Sequence, residues 1–267
     1  MSPFLILFLV SMAVSAIGWK YFIYFFSLGY GFSIVALGAA IAIMFCGTAS
    51  IPSFVLCAVL ILYGSRLGIF LFRREKKSGA YRKILYDKSL QQKKPLVEVL
   101  VVWVFCALLY VAEVSPVFFR AGNEAAGIHV NGVWAIIGAI VMVAGASLEA
   151  VADAQKSAAK KADPNRFVST GVYRIVRCPN YLGEIIFWTG CFISGIGASM
   201  NLWQWVAAAA GYAGIVFVMF SGARRLELRQ NKIYGDDDEY RKYVRTTPII
   251  IPLIPLYSVE KYKFLVA

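Results

Sequence analysis

Residues 132–160 read GVWAIIGAIVMVAGASLEAVADAQKSAAK. No charge interrupts the run until Glu149, after which Asp153, Lys156 and Lys160 follow at steps of four, three and four. A hydrocarbon core of roughly 30 Å takes about 20 helical residues to cross, so this stretch predicts a membrane-spanning helix that emerges into water at its basic end. Further apolar runs cover 3–28, 31–48, 51–72, 96–118, 181–199 and 202–222. The run 181–199 is short and broken by glycines, and Trp19, Lys20 and Tyr21 suggest an interface where the first two runs meet. The expectation is an all-α polytopic membrane protein with about seven transmembrane helices, residues 1–267 forming a single domain without internal repeat.

Composition points the same way. The chain is 60% hydrophobic and 16% charged, too little charge to cover a soluble surface of this length. A cleaved signal peptide is the competing reading of the N-terminus. The start, however, lacks a basic segment and its apolar stretch simply continues.

The formal net charge of +12 lies mainly in loops. Residues 73–94 hold Arg73, Arg74, Lys76, Lys77, Arg82, Lys83, Lys88, Lys93 and Lys94 against Glu75 and Asp87. The segment 156–177 holds Lys156, Lys160, Lys161, Arg166, Arg174 and Arg177, whereas the opposite loop 119–131 has Arg120 as its one fixed positive charge. The positive-inside rule then places both basic loops and the C-terminal tail in the cytoplasm, with the N-terminus outside. This distribution explains the basic balance without nucleic acid, and contact with anionic membrane lipids is the ordinary role of such loops. Cys46, Cys57, Cys106, Cys178 and Cys191 show no paired or metal-type spacing, and the sole histidine, His129, falls in the outer loop, so no metal site is expected. Neither standard Gly-rich nucleotide cradle is present. After residue 222 the chain turns polar, with a loop signal at Gly235-Asp236-Asp237-Asp238. Ile249 to Pro255 is then apolar but too short to span, and is expected to lie back on the bundle or the interface.

Ionisable groups inside a span cost roughly 2.5–3.5 kcal/mol on insertion scales, so each is a functional candidate. Arg66 lies in Tyr63-Gly64-Ser65-Arg66, and Glu98 and Glu113 share the 96–118 run. Arg66 could alternatively snorkel to the cytoplasmic surface. Glu149, Asp153, Lys156 and Lys160 form a stronger constellation, because steps of three and four share one helix face. Two carboxylates inside the membrane and two ammonium groups outside it suit a ligand with a polar organic end and a phosphate-bearing end. The bland alternative is a solvated helix end with internal ion pairs.

A second constellation runs from Thr170 through Gly171-Val172-Tyr173-Arg174-Ile175-Val176-Arg177-Cys178-Pro179-Asn180-Tyr181-Leu182-Gly183-Glu184 into an apolar helix. Pro179 suits a helix start, and Asn180 and Glu184 lie one turn apart on one face. Arg174 and Arg177 precede the helix N-terminus, where free N–H groups favour anions. A simple cap would need neither arginine nor Glu184.

These residues carry a resemblance. Glu149-Ala-Val-Ala-Asp153, Asp163-Pro-Asn-Arg166 and Gly171-Val-Tyr-Arg174 through Pro179-Asn180-Tyr-Leu-Gly-Glu184 look like the bacterial DUF1295 proteins, which group with the steroid 5-alpha-reductase superfamily. The match covers roughly 60–255, with Glu239-Tyr-Arg-Lys-Tyr243 and Ile251-Pro252 similar to the family's ending. The resemblance implies a seven-helix fold in a bacterial inner membrane, with NADPH bound on the cytoplasmic side. It implies hydride transfer to the β-carbon of a lipophilic conjugated enone, typically a 3-keto-4-ene steroid. By matching position Asp153, Lys160, Arg166, Asn180 and Glu184 would hold the cofactor, with Arg66 and Arg224 nearby. Glu149, Lys156, Tyr173, Arg174 and Arg177 complete the candidate cofactor set. Tyr63 would be the catalytic donor to the substrate carbonyl; its bland alternative is aromatic packing. The sequence departs from the pattern at Cys178, where the bacterial proteins usually have histidine. The animal reductases also pair their tyrosine with a glutamate on an early helix, and residues 31–48 hold no ionisable side chain.

The competing function is an S-adenosylmethionine-dependent membrane methyltransferase of the isoprenylcysteine or phospholipid type. Those enzymes show a similar Gly-x-Tyr-Arg-x-x-Arg-x-Pro-x-Tyr-x-Gly run and a tail like Glu227 to Pro252. They commonly have apolar residues where Asn180 and Glu184 stand here.

Overall fold

A computed structural model describes residues 2–77 and 95–266. Eight α-helices are seen among them and no strand: α1 Pro3–Ser15, α2 Leu28–Met44, α3 Ile51–Lys77, α4 Leu96–Ala125, α5 Gly132–Ala162, α6 Pro179–Ser194, α7 Leu202–Tyr234 and α8 Asp238–Thr246. Four of them, α3, α4, α5 and α7, are long and apolar enough to cross a membrane. At 1.5 Å per residue their 27 to 33 residues measure about 40–50 Å, longer than the hydrocarbon core, so each has turns to spare beyond it. Outward side chains such as Leu62, Phe105 and Ile140 are 60–69% exposed, which suits a lipid neighbour rather than water. Most of the basic loop 73–94 lies outside the described residues.

The apolar run 3–28 is not one helix. α1 stops at Ser15, and short 3-10 turns at Ala16–Trp19 and Phe22–Phe26 lead into α2. Phe25 lies where any side chain at Gly18 would have to go, which fixes this corner. The tail does fold back: Ile249 and Ile250 are buried with Cys178, Ala223, Val259 and Leu265.

The chain forms two compact units, Met1–Ala139 with Cys191–Tyr212, and Ile140–Gly190 with Ala213–Ala267. In the first, the Tyr24 hydroxyl donates to the Glu75 carboxylate, bringing the α1–α2 turns to the Lys77 end of α3. Ser50 donates to Glu124 through its N–H (2.8 Å) and hydroxyl (2.6 Å), joining the start of α3 to the end of α4. Asn123 donates to the Ala198 carbonyl at 2.7 Å, adding the α6–α7 turn to that end. Arg120, expected in a loop, lies on α4 and is fully buried. It donates to Ser53 and to the Asn131 carbonyl, with Glu124 beside it. Glu113, also on α4, is buried at 3% exposure.

Candidate functional site

In the second unit α5 and α6 cross backbone against backbone. A methyl group on Gly183 would lie 2.7 Å from both the Glu149 nitrogen and the Gly145 carbonyl oxygen, too close for any residue but glycine. Gly145 is equally hemmed in by Phe187 and Gly183. This contact places Glu149 of α5 beside Gly183, whose chain neighbour is Glu184. Glu149, Asp153 and Glu184 are 3%, 8% and 7% exposed, a group of acceptors withdrawn from water. Asn180 stands one turn before Glu184, and its buried Oδ1 has no hydrogen-bond donor among the described residues. Buried polar atoms are normally paired, so an amide oxygen in this state suits a ligand donor.

The basic half of the prediction is redistributed. Lys160 donates to the carbonyls of Pro164 (3.0 Å) and Arg166 (2.6 Å) and to the Tyr234 hydroxyl (3.0 Å), clamping the loop after α5. Arg166 pairs with Glu239 at 2.6 Å on an open surface. Arg177 is buried against Glu227 at 2.7 Å. Arg224 donates to the Glu260 and Leu265 carbonyls. Tyr173 donates to the Ala152 carbonyl at 3.2 Å, and burial, with Asp153 next, pushes its phenol upward. Lys156 is half-buried on the Glu149–Asp153 face, and Arg174 is exposed. Burial pushes the Cys178 thiol up to about 12 against the opposing pull of Arg177 and Lys156.

Tyr63 and Arg66 belong to the first unit. Tyr63 is 2% exposed on α3, with the Arg66 guanidinium 5.8 Å from its ring centre. Gly64 between them packs on α2, where a methyl group would approach the Val35 nitrogen to 2.9 Å.

A family model described as "Protein of unknown function (DUF1295)" matches residues 26–247. The chain belongs to the DUF1295 family. No curated protein and no solved structure matches it. The family assignment covers both glycine crossings of this DUF1295 chain and all thirteen candidate site residues named from the sequence. Two features of the DUF1295 site escaped sequence reasoning. Gly145 and Gly183 each sit beside an acidic position, four residues before Glu149 and one before Glu184, a spacing that could have flagged the crossing. Glu227 could have been noticed as the lone acid among Arg224, Arg225 and Arg229.

Proposed function

We propose that the chain is an NADPH-dependent membrane reductase acting on a conjugated carbon–carbon double bond of a lipophilic enone, of the 3-keto-4-ene steroid type. The observation that carries this reading is the buried acceptor group Glu149, Asp153 and Glu184, with Asn180, at the α5–α6 glycine crossing. Such acceptors suit the hydroxyls and carboxamide of a dinucleotide's organic end. Lys156 and Arg174 would meet its phosphates. The bound cofactor would supply a hydride to the β-carbon. Negative charge then builds on the substrate carbonyl oxygen, and the Tyr63 phenol, buried in an apolar span, would stabilise it by hydrogen-bond donation until the enolate takes a proton from water at the α-carbon.

The same reading takes the chain as one membrane domain with seven passes, N-terminus outside, its site facing the cytoplasm. Support comes from the first unit, where contacts alternate ends: Tyr24 with Glu75 at one, Ser50 with Glu124 and Asn123 with Ala198 at the other.

One observation favours a second reading. Lys160, Arg166, Arg177 and Arg224 are all engaged by other parts of the chain, which leaves few cations for phosphate. S-adenosylmethionine carries no phosphate, so a lipid methyltransferase needs none of them. Thermal stability of the detergent-purified protein separates the two. NADPH is expected to raise the melting temperature and S-adenosylmethionine to leave it unchanged; the reverse result sinks the reductase. Asn180→Ala and Glu184→Ala should each weaken NADPH binding about tenfold, about 1.4 kcal/mol. Unchanged affinity in both would remove the α6 pair from the site.

A further inference from the structure

The residues that lead into α6 are held by the tail rather than by their own loop. The Arg177 N–H donates to the Pro248 carbonyl and the Cys178 N–H to the Ile249 carbonyl, both at 2.8 Å. Two residues later α6 presents Asn180, and its first-turn bond runs from the Leu182 N–H to the Cys178 carbonyl at 3.1 Å. Behind this seam lies a buried ion pair. Arg177 and Glu227 meet at 2.7 Å with side chains 2% and 1% exposed. Both ends reach into the tail: the Arg177 guanidinium donates to the Tyr257 carbonyl, and the second Glu227 oxygen accepts from the Val259 N–H at 2.9 Å. The tail in turn is tied to α7, through Arg224 to the Glu260 and Leu265 carbonyls and Asn231 to the Glu260 carboxylate at 2.8 Å.

A buried ion pair is a poor device for stability alone, since apolar residues of similar size often do as well. Its value here is directional. Two charges bonded to each other and to two backbone groups of the tail, the Tyr257 carbonyl and the Val259 N–H, specify one register between α7, the tail and the start of α6, which apolar packing would leave free to slide.

We infer that Arg177 and Glu227 are positioning residues, a latch through which the C-terminal tail sets the first turn of α6 and with it Asn180 and Glu184. The ligand consequence rests on the cofactor reading above; the structural consequence does not.

Hydrogen–deuterium exchange on the full chain in detergent tests the latch directly. In Glu227→Gln, amides of 177–184 and 248–259 should exchange at least tenfold faster, with those of α3 and α4 unchanged. The double variant Arg177→Met with Glu227→Met should recover the wild-type melting temperature. It should keep the fast exchange at 177–184 and bind NADPH about tenfold more weakly. Wild-type exchange at 177–184 in Glu227→Gln overturns the latch, as does a double variant that regains slow exchange along with its stability. Should the double variant not fold, exchange in Glu227→Gln decides alone. Should the wild-type chain not bind NADPH while Glu227→Gln still exchanges fast, the cofactor reading falls and the latch stands.

Discussion

The Cβ of Glu149 would lie 2.9 Å from a methyl group placed on Gly183, so the carboxylate-bearing turn of α5 sits directly on the α6 backbone. Gly183→Ala must therefore push the two helices apart, and backbone atoms, unlike a flexible side-chain tip, cannot swing aside. Overpacking of this kind costs about 1–3 kcal/mol. The expected result is a lowered melting temperature together with loss of ligand binding. Gly47→Ala is the control, because nothing lies within 4 Å of a methyl group there. Equal behaviour of the two variants would show that the crossing does not position Glu149.

Orientation is open to a simple chemical test. Of the five cysteines, Cys46 is exposed and Cys57, Cys106, Cys178 and Cys191 are buried. Cys46 follows α2, so with the N-terminus outside it faces the exterior. A membrane-impermeant maleimide should label intact cells at Cys46, and Cys46→Ser should abolish that signal. Labelling only after lysis would invert the topology.

The sequence conveyed membrane character well because bilayer thickness imposes long runs such as 132–148, whose reading needs no partner. It also placed Glu149 and Asp153 on one face, a local property of helix spacing. What it could not convey was tertiary. Nothing local to Arg177 distinguishes a phosphate ligand from the partner of Glu227, fifty residues away. Lys160 reads as a free cation by position, yet its ammonium is engaged by the Pro164 and Arg166 carbonyls of a loop that folds back only in three dimensions. The break after Ser15 was hidden for another reason: 3-10 turns rich in Phe and Tyr keep the hydropathy high while the helix direction changes.

Alkaline pH should loosen the packing of the tail and α8 around the start of α6. Burial pushes the Cys178 thiol from 9.0 and the Tyr240 phenol from 10.0 up to about 12, and raises Tyr243 as well. The folded state thus keeps protons that the unfolded chain releases. Stability from these groups is full below their unfolded values and is lost as pH rises towards the folded ones. The melting temperature should be level from neutral pH to about 9 and then fall. Cys178→Ala should lessen the earliest part of that fall and leave the phenol part. A curve already sloping near neutrality in the wild type would contradict this assignment.

The phosphate end of the proposed ligand can be assigned by comparing four basic residues on α5 and in the loop before α6. The Arg166–Glu239 pair is 60% and 70% exposed, so it stabilises by only about 0–1 kcal/mol. Lys160 holds the loop after α5. Lys156 lies on the acidic stripe and Arg174 in the turn before α6. Lys156→Met and Arg174→Ala should each raise the NADPH dissociation constant about tenfold, about 1.4 kcal/mol. Arg166→Ala should change it by less than about twofold, within what a solvent-screened charge contributes. Lys160→Met should lower the melting temperature without a matching loss of affinity. Added salt should weaken binding to the wild type more than to Arg174→Ala, because one screened contact is already gone. If Arg166→Ala instead costs as much affinity as Arg174→Ala, the phosphates lie towards Glu239 and the Lys156–Arg174 assignment fails.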